Sequence, residues 1–290
     1  MSGCPPTLSN PGHRHASRAA ARRGAAAGAR LRMEDGADKP AQIAGGPSFI
    51  EPDWPRHPRV RAVVSTRNGG FSKGAFNSLN VATHEGDSPA AVDANRQRLC
   101  QMLELPTEPV WLEQVHGTRV VQLADIRAEQ PPEADAAWTS QTGVVCAVMS
   151  ADCLPVLFAD RSGRHVAASH AGWRGLAAGV LEQTVRSLPV PAAQITAWLG
   201  PAIGPSAYEV GAEVRAQFLS AHQDADDAFR RRANGKFELD MYSAARLILR
   251  KLGVSDVHGG THCTFTESDT FFSFRRDGRC GRMVSLIWLE

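Results

Sequence analysis

The 290-residue chain has no apolar run long enough to span a bilayer, which takes about 18 or more consecutive apolar residues. Its most apolar stretch, Gly143 to Ala159, is interrupted by Ser150, Asp152 and Pro155. A membrane-embedded class is excluded and a soluble protein is expected. An excess of one charge is also missing. Lys plus Arg total 32 against 30 Asp plus Glu, a net of +2. No global field draws nucleic acid or an anionic membrane, so an anionic ligand must be met by local cations. Cysteine is sparse. Cys4, Cys100, Cys146, Cys153, Cys263 and Cys280 lack the dense, regular spacing of a small secreted disulfide scaffold, and a reducing cytoplasm is the expected compartment. No CxxC pair occurs, which argues against a structural zinc ribbon and requires any metal site to draw ligands from separated segments.

Acidic residues are absent before Glu34, and Ala, Gly and Arg dominate from Met1 to about Gly46. That composition cannot bury enough apolar surface to order itself, so residues 1–46 are expected to form a disordered extension and residues 47–290 the functional domain. The extension also mimics an organelle transit peptide, lacks a secretory h-region, and is compatible with initiation at Met33.

Beyond it, 43% hydrophobic residues suffice for a substantial core. Arg59 to Ser65 reads as a strand, Pro89 to Leu103 as a helix, and Val110 to Val115 and Arg119 to Leu123 as short strands around His116-Gly117-Thr118. Gly143 to Met149, Leu154 to Ala159 and His165 to Ser169 read as buried central strands. A helix is expected from Leu176 to Ser187, a strand at Ile195 to Leu199, helices near Gly211 to His222 and Asp240 to Leu252, and a closing strand at Val284 to Leu289. Ala244, Ala245, Ile248, Leu249 and Leu252 share one helix face, which makes them core, with Asp240 as the cap. The pattern predicts an α/β (α+β) domain without internal repeats.

Three segments place a metal-capable side chain at a strand end beside small residues: Gln114-Val115-His116-Gly117, Ala151-Asp152-Cys153-Leu154, and His170-Ala171-Gly172-Trp173. Two imidazoles and a thiolate suit zinc, and three protein ligands leave a fourth position for water or substrate. The same residues also suit a Cys153 nucleophile with His170 or His116 as base and backbone N–H groups near the glycines for an oxyanion. Spacing alone does not choose between them. Cys146, inside an apolar run, reads as a structural thiol.

Longer matches accompany these residues. WLEQVHG (Trp111 to Gly117), CAVMSADCLPVLF (Cys146 to Phe158), HAGWRG (His170 to Gly175), WLGPAIGP (Trp198 to Pro205), YEVG (Tyr208 to Gly211) and FFSFRRDG (Phe271 to Gly278) resemble the YfiH-like laccase-domain family. Members are also called peptidoglycan editing factors or purine nucleoside phosphorylases of that type. TRNGGFS (Thr66 to Ser72), SLNVATHEGD (Ser78 to Asp87) and Asn95-Arg96 fit the same pattern, so the resemblance runs from about residue 48 to 290. Residues 1–46 and Cys280 fall outside it.

The resemblance implies a single YfiH-like domain with mixed β-sheet layers and flanking helices. It also implies a zinc ion held by His116, Cys153 and His170. The implied activity is phosphorolysis of adenosine, inosine, guanosine and methylthioadenosine, with deamination of adenosine. The laccase label implies copper, yet the ten histidines include no HCH triplet, and a multicopper oxidase needs a larger histidine set. Zinc is therefore the expected cofactor.

Deamination needs a carboxylate near the metal to move protons, and Asp152 is the first candidate; holding its own loop is the competing role. Phosphorolysis needs cations on phosphate. Arg67, after a strand and before two glycines, is the leading choice, with Arg174 and Arg275 behind it. Trp173 and Phe71 are candidates to stack on a purine, and Asn80 and His84 to line or support the pocket. The expected partners are purine nucleosides and phosphate. Two alternatives remain open: a Cys-His hydrolase acting on peptidoglycan precursors, and a non-catalytic interaction protein.

Overall fold

The computed structural model describes residues 48–124 and 130–290; the extension expected to be disordered lies outside the described residues. The strands are β1 (Phe49–Ile50), β2 (Val60–Ser65), β3 (Val120–Gln122), β4 (Ala136–Thr139), β5 (Val145–Ser150), β6 (Leu154–Asp160), β7 (Val166–Ala171), β8 (Ile195–Leu199), β9 (Glu209–Val210), β10 (Phe229–Arg231), β11 (Phe237–Leu239), β12 (Asp256–Gly259) and β13 (Met283–Leu289). The α-helices are α1 (Pro89–Met102), α2 (Trp173–Ala178), α3 (Val180–Ser187), α4 (Ala212–Ala221), α5 (Met241–Lys251) and α6 (Phe274–Asp277). No helix among the described residues is long and apolar enough to cross a membrane.

An antiparallel four-stranded sheet in the order β1-β2-β13-β5 packs on a six-stranded sheet in the order β12-β8-β6-β7-β4-β3. Side-chain alternation explains the stacking, because successive residues of a strand face opposite sides. Val60, Ala62 and Val64 of β2 meet Leu157 and Ala159 of β6 between the sheets. Val63, Ala147, Met149 and Leu286 face outward and pack with Leu99 of α1. On the far side, Val156 and Phe158 of β6 pack under the apolar faces of α2, α3 and α5. Both sheets are thus covered on both faces, and β5, β6 and β7 are buried along their whole length. Each buried Val, Leu, Ile or Phe contributes about 1.5–3 kcal/mol relative to exposure. The α/β (α+β) class with mixed sheet layers and flanking helices is the class observed.

Local departures have physical reasons. The helix expected from Leu176 to Ser187 is two helices, because Gly179 adopts φ 100° and its N–H caps Gly175 and Leu176 carbonyls. Val110 to Val115 forms only isolated bridges, Val110 with Cys146 and Glu113 with Glu133. Val115 donates its N–H to a side chain instead. The α5 stripe is buried as expected, and Asp240 caps the helix by accepting from the Tyr242 and Ser243 N–H groups. Asn95 and Arg96 of α1 act on the loop before it. Asn95 Nδ2 donates to Ser78 O and Asn80 O, and Arg96 Nε donates to Val81 O.

Candidate metal centre and its cleft

Three residues, Ala151 to Cys153, carry the chain from β5 in one sheet to β6 in the other. So short a crossing forces Asp152 to φ 89°, unusual for a residue with a side chain. The conformation is held at several points. Asp152 Oδ1 accepts from Thr264 Oγ1 (2.6 Å), Oδ2 from the Arg275 N–H (2.7 Å), and the Asp152 carbonyl from the Ile203 N–H (3.0 Å). Cys153 therefore emerges at the start of β6. His170, near the end of β7, pairs in register with Pro155, two residues from Cys153. His116 arrives from a third segment, in a turn where its own φ is 61°.

Asp135, absent from the sequence-derived candidates, joins two of these segments. Its buried carboxylate accepts from the Val115 (3.2 Å), His116 (2.9 Å) and Gly117 (2.6 Å) N–H groups. It also accepts from His170 Nδ1 at 2.8 Å. One carboxylate thus fixes the His116 turn and leaves Nε2 of His170 to serve as a ligand, the usual carboxylate–histidine–metal arrangement. Gln114 ties the same turn to β5, donating Nε2 to Met149 O and accepting the Met149 N–H. Glycine at 172 is required by proximity, since a Cβ there would lie 2.9 Å from both Cys153 Sγ and His116 Cδ2.

The ligand atoms of His116, Cys153 and His170 all lie within 4.8 Å of one another. Cys153 Sγ is 3.7 Å from His116 Nε2, and a tetrahedral zinc with ordinary Zn–S and Zn–N lengths places such a pair about 3.6 Å apart. Burial opposes the Cys153 thiolate, but the charge of His170 and hydrogen bonds from both imidazoles outweigh it and bring the thiol down to about 6. Burial likewise pushes His170 down, while the Cys153 charge and the Asp135 hydrogen bond lift it to about 9. Asp135 is held below the usual carboxylate range despite its burial, first by the His170 hydrogen bond. A thiolate is the form that binds metal. The donor set fits zinc with one position left open. Among the described residues this is the one such group of three or more, and His84 is not part of it.

The triad lies in a cleft of about 480 Å³. Asp152, His84, Arg174, Arg275 and Trp173 line it, as the sequence suggested. Glu85, Tyr208, Phe274 and Arg282 line it as well and escaped the sequence reading. Arg67, Asn80 and Phe71 are not among the lining residues. Arg67 donates to the Asn77 and Ser268 carbonyls and stacks 4.8 Å over Phe272. Gly70, three residues on, serves a close backbone approach, because a Cβ there would sit 2.3 Å from Ser78 O. Asn80 is fully buried; its Oδ1 accepts from the Ala82 and Arg282 N–H groups, and Nδ2 donates to Asp87.

A two-layered sheet fold with a His-Cys-His group at a sheet-to-sheet crossing defines the class. The family described as multi-copper polyphenol oxidoreductase laccase matches residues 61–290, and the chain belongs to it. A purine nucleoside phosphorylase of Pseudomonas aeruginosa is 53% identical over 244 residues, 84% of this chain and 99% of that protein. The purine nucleoside phosphorylase YfiH of Escherichia coli is 51% identical over 241 residues, 83% of this chain and 98% of that protein. The crystal structure of Neisseria meningitidis protein NMB0706 superimposes with a TM-score of 0.81 at 51% identity, covering 83% of this chain and 99% of that one. YlmD from Geobacillus stearothermophilus gives 0.77 at 32% identity, covering 86% and 98%. The YfiH-like resemblance read from the motifs is borne out.

Proposed function

We propose that this chain is a cytoplasmic, zinc-dependent purine nucleoside phosphorylase that also deaminates adenosine. The observation that carries the reading is the meeting of His116, Cys153 and His170 in a cleft that also presents arginines and aromatic rings. Relatives at 53% and 51% identity, matched over nearly their whole length, bear the phosphorylase name. His116, Cys153 and His170 would hold the ion, which when bound supplies Lewis-acid polarisation of a substrate atom.

The phosphate role expected for Arg67 passes to Arg174 and Arg275. Arg174 stacks 4.6 Å over Trp173. Arg275 lies 5.0 Å over Tyr208 and commits Nη1 to Glu209 O, leaving the rest of its planar fork for an anion. Asp152, with hydrogen bonds on both carboxylate oxygens, holds the crossing that delivers Cys153 rather than carrying protons. Trp173 offers the purine a flat apolar face. Phenol oxidation by several coppers fits poorly, since the described residues hold a single metal-capable group.

One observation favours a second reading. Cys153, His170 and Asp135 also follow the nucleophile, base and orienting-acid sequence of a thiol hydrolase, with a lowered cysteine, as an enzyme editing peptidoglycan precursors would need. Product analysis on adenosine separates the readings. The zinc enzyme releases adenine only with phosphate, forms inosine without it, and loses both activities to a chelator. A protein that keeps its activity after metal removal, or that releases no base and no inosine, would overturn the zinc reading.

A further inference from the structure

The loop preceding α1 is fastened from the far end of the chain. Arg279 donates Nε to Glu85 O (3.0 Å) and Nη2 to Gly86 O (2.6 Å). Arg282 donates Nη2 to Glu85 Oε1 at 2.5 Å. Arg282 is itself anchored, its N–H on Asn80 Oδ1 (2.9 Å) and its Nη1 on the Cys280 carbonyl (3.0 Å). His84 Nε2 lies 3.2 Å from the same Glu85 Oε1. One carboxylate oxygen therefore meets both Arg282 and His84, and the other meets neither. Glu85 lines the cleft and is 15% exposed, so two arginines hold an acceptor in place with its second oxygen open.

A carboxylate accepts and does not donate, so its ligand must bring hydrogen-bond donors. Resting on the phosphorylase reading, the donors present in every purine nucleoside are the ribose hydroxyls, whereas ring N–H groups differ from base to base. The free lone pairs of Oε2 match two adjacent hydroxyls. Phe274, 55% exposed and 5.8 Å from the Arg282 guanidinium, gives the attached base an aromatic face beside that acceptor. We propose that Glu85 is the ribose-binding residue of the cleft, accepting the 2′- and 3′-hydroxyls on Oε2. Its charge also acts on the reaction. As the C1′–N9 bond breaks, its electron pair leaves with the base, and a phosphate oxygen forms the new bond to C1′. Positive charge develops on the ribose meanwhile, and a fixed carboxylate stabilises it without exchanging a proton.

The test compares inosine, 2′-deoxyinosine and 3′-deoxyinosine on the zinc-loaded wild type and Glu85→Gln, by phosphate-dependent kcat/KM and by calorimetric binding without phosphate. The glutamine keeps an oxygen for Arg282 and removes the charge. Wild type is expected to bind inosine about tenfold or more tighter than each deoxynucleoside, and Glu85→Gln to lose that preference in binding, while the missing charge lowers kcat/KM on all three substrates. A preference for inosine in binding that survives in Glu85→Gln, or unchanged use of inosine, would overturn the assignment and leave a purely structural ion pair. If wild type binds inosine in preference to its deoxy analogues yet releases no base, the phosphorylase reading fails while the ribose site stands. If it binds no nucleoside, both fail. Should Glu85→Gln not fold, Glu85→Asp, which withdraws the carboxylate by one methylene, is expected to show the same loss of discrimination.

Discussion

A buried aspartate stands at each end of the β6–β7 hairpin, Asp160 in its turn and Asp135 beside its open end, and the two do different work. At the turn, Asp160 accepts from the Arg164 and His165 N–H groups (2.7 Å each) and from the Ser162 hydroxyl. Every one of these partners lies within five residues of it. At the open end, Asp135 accepts from N–H groups up to 20 residues earlier and from an imidazole 35 residues later. Asp160 fastens a turn through near neighbours in sequence, whereas Asp135 adds side-chain hydrogen bonds between two remote segments, the His116 turn and the end of β7, that backbone pairing also holds side by side. The two carboxylates differ in reach and in partners, since Asp160 accepts only from backbone N–H groups and a hydroxyl of its own turn, whereas Asp135 also accepts from an imidazole of the candidate metal group.

Exchanging each carboxylate for its amide breaks the comparison most sharply. Asp135→Asn turns an amide donor toward N–H groups that need an acceptor, and is expected to lower zinc affinity by about 10–100-fold, measured by competition with a chromophoric chelator. The metal-free protein should also lose about 1–3 kcal/mol, read from urea unfolding. Next in size, Gly172→Ala inserts a Cβ against Cys153 and His116 where φ is an ordinary −62°. Zinc affinity is expected to fall about tenfold, with the metal-free melting temperature nearly unchanged.

The smallest effect on the metal belongs to Asp160→Asn, expected to leave zinc affinity at the wild-type value while costing about 1–3 kcal/mol of stability at neutral pH. Burial opposes ionisation of Asp160, but the Ser162 hydroxyl and the backbone N–H groups outweigh it and hold the carboxyl below its ordinary value. Its contribution is complete above the unfolded-state pKa of about 3.9 and is lost as pH falls through the lower folded value. Unfolding followed from pH 6 down to 2 should show this acid limb in wild type and a shallower one in the variant. A fall in zinc affinity for Asp160→Asn equal to that of Asp135→Asn would erase the distinction between the two ends.

The three candidate ligands were legible because His116, Cys153 and His170 each stand beside small residues at the end of an apolar run. Asp135 was not, because Glu133-Ala134-Asp135-Ala136 carries no periodic or motif signal and all its partners are remote or backbone groups. Buried β5, β6 and β7 read correctly as continuous apolar runs. The same reasoning misplaced Val110 to Val115, whose pattern suits a strand but which makes only isolated bridges and gives its last N–H to Asp135. Arg67 lies outside the lining of the cleft for a related reason. Gly69 answers to a φ of 87° and Gly70 to a close approach of the Ser78–Leu79 backbone, a tertiary demand invisible in one segment. The β10–β11 hairpin was overlooked although its turn holds Asn234-Gly235, with Gly235 at φ 80°, a sequence pair that by itself favours a hairpin.

The most direct measurement determines zinc content and phosphate-dependent release of hypoxanthine from inosine on the same preparations of wild type and Cys153→Ala. One zinc per chain with base release in wild type, and the loss of both in the variant, is the expected result. A Cys153→Ala protein that keeps full zinc and full activity would contradict the assignment of His116, Cys153 and His170 as the metal centre.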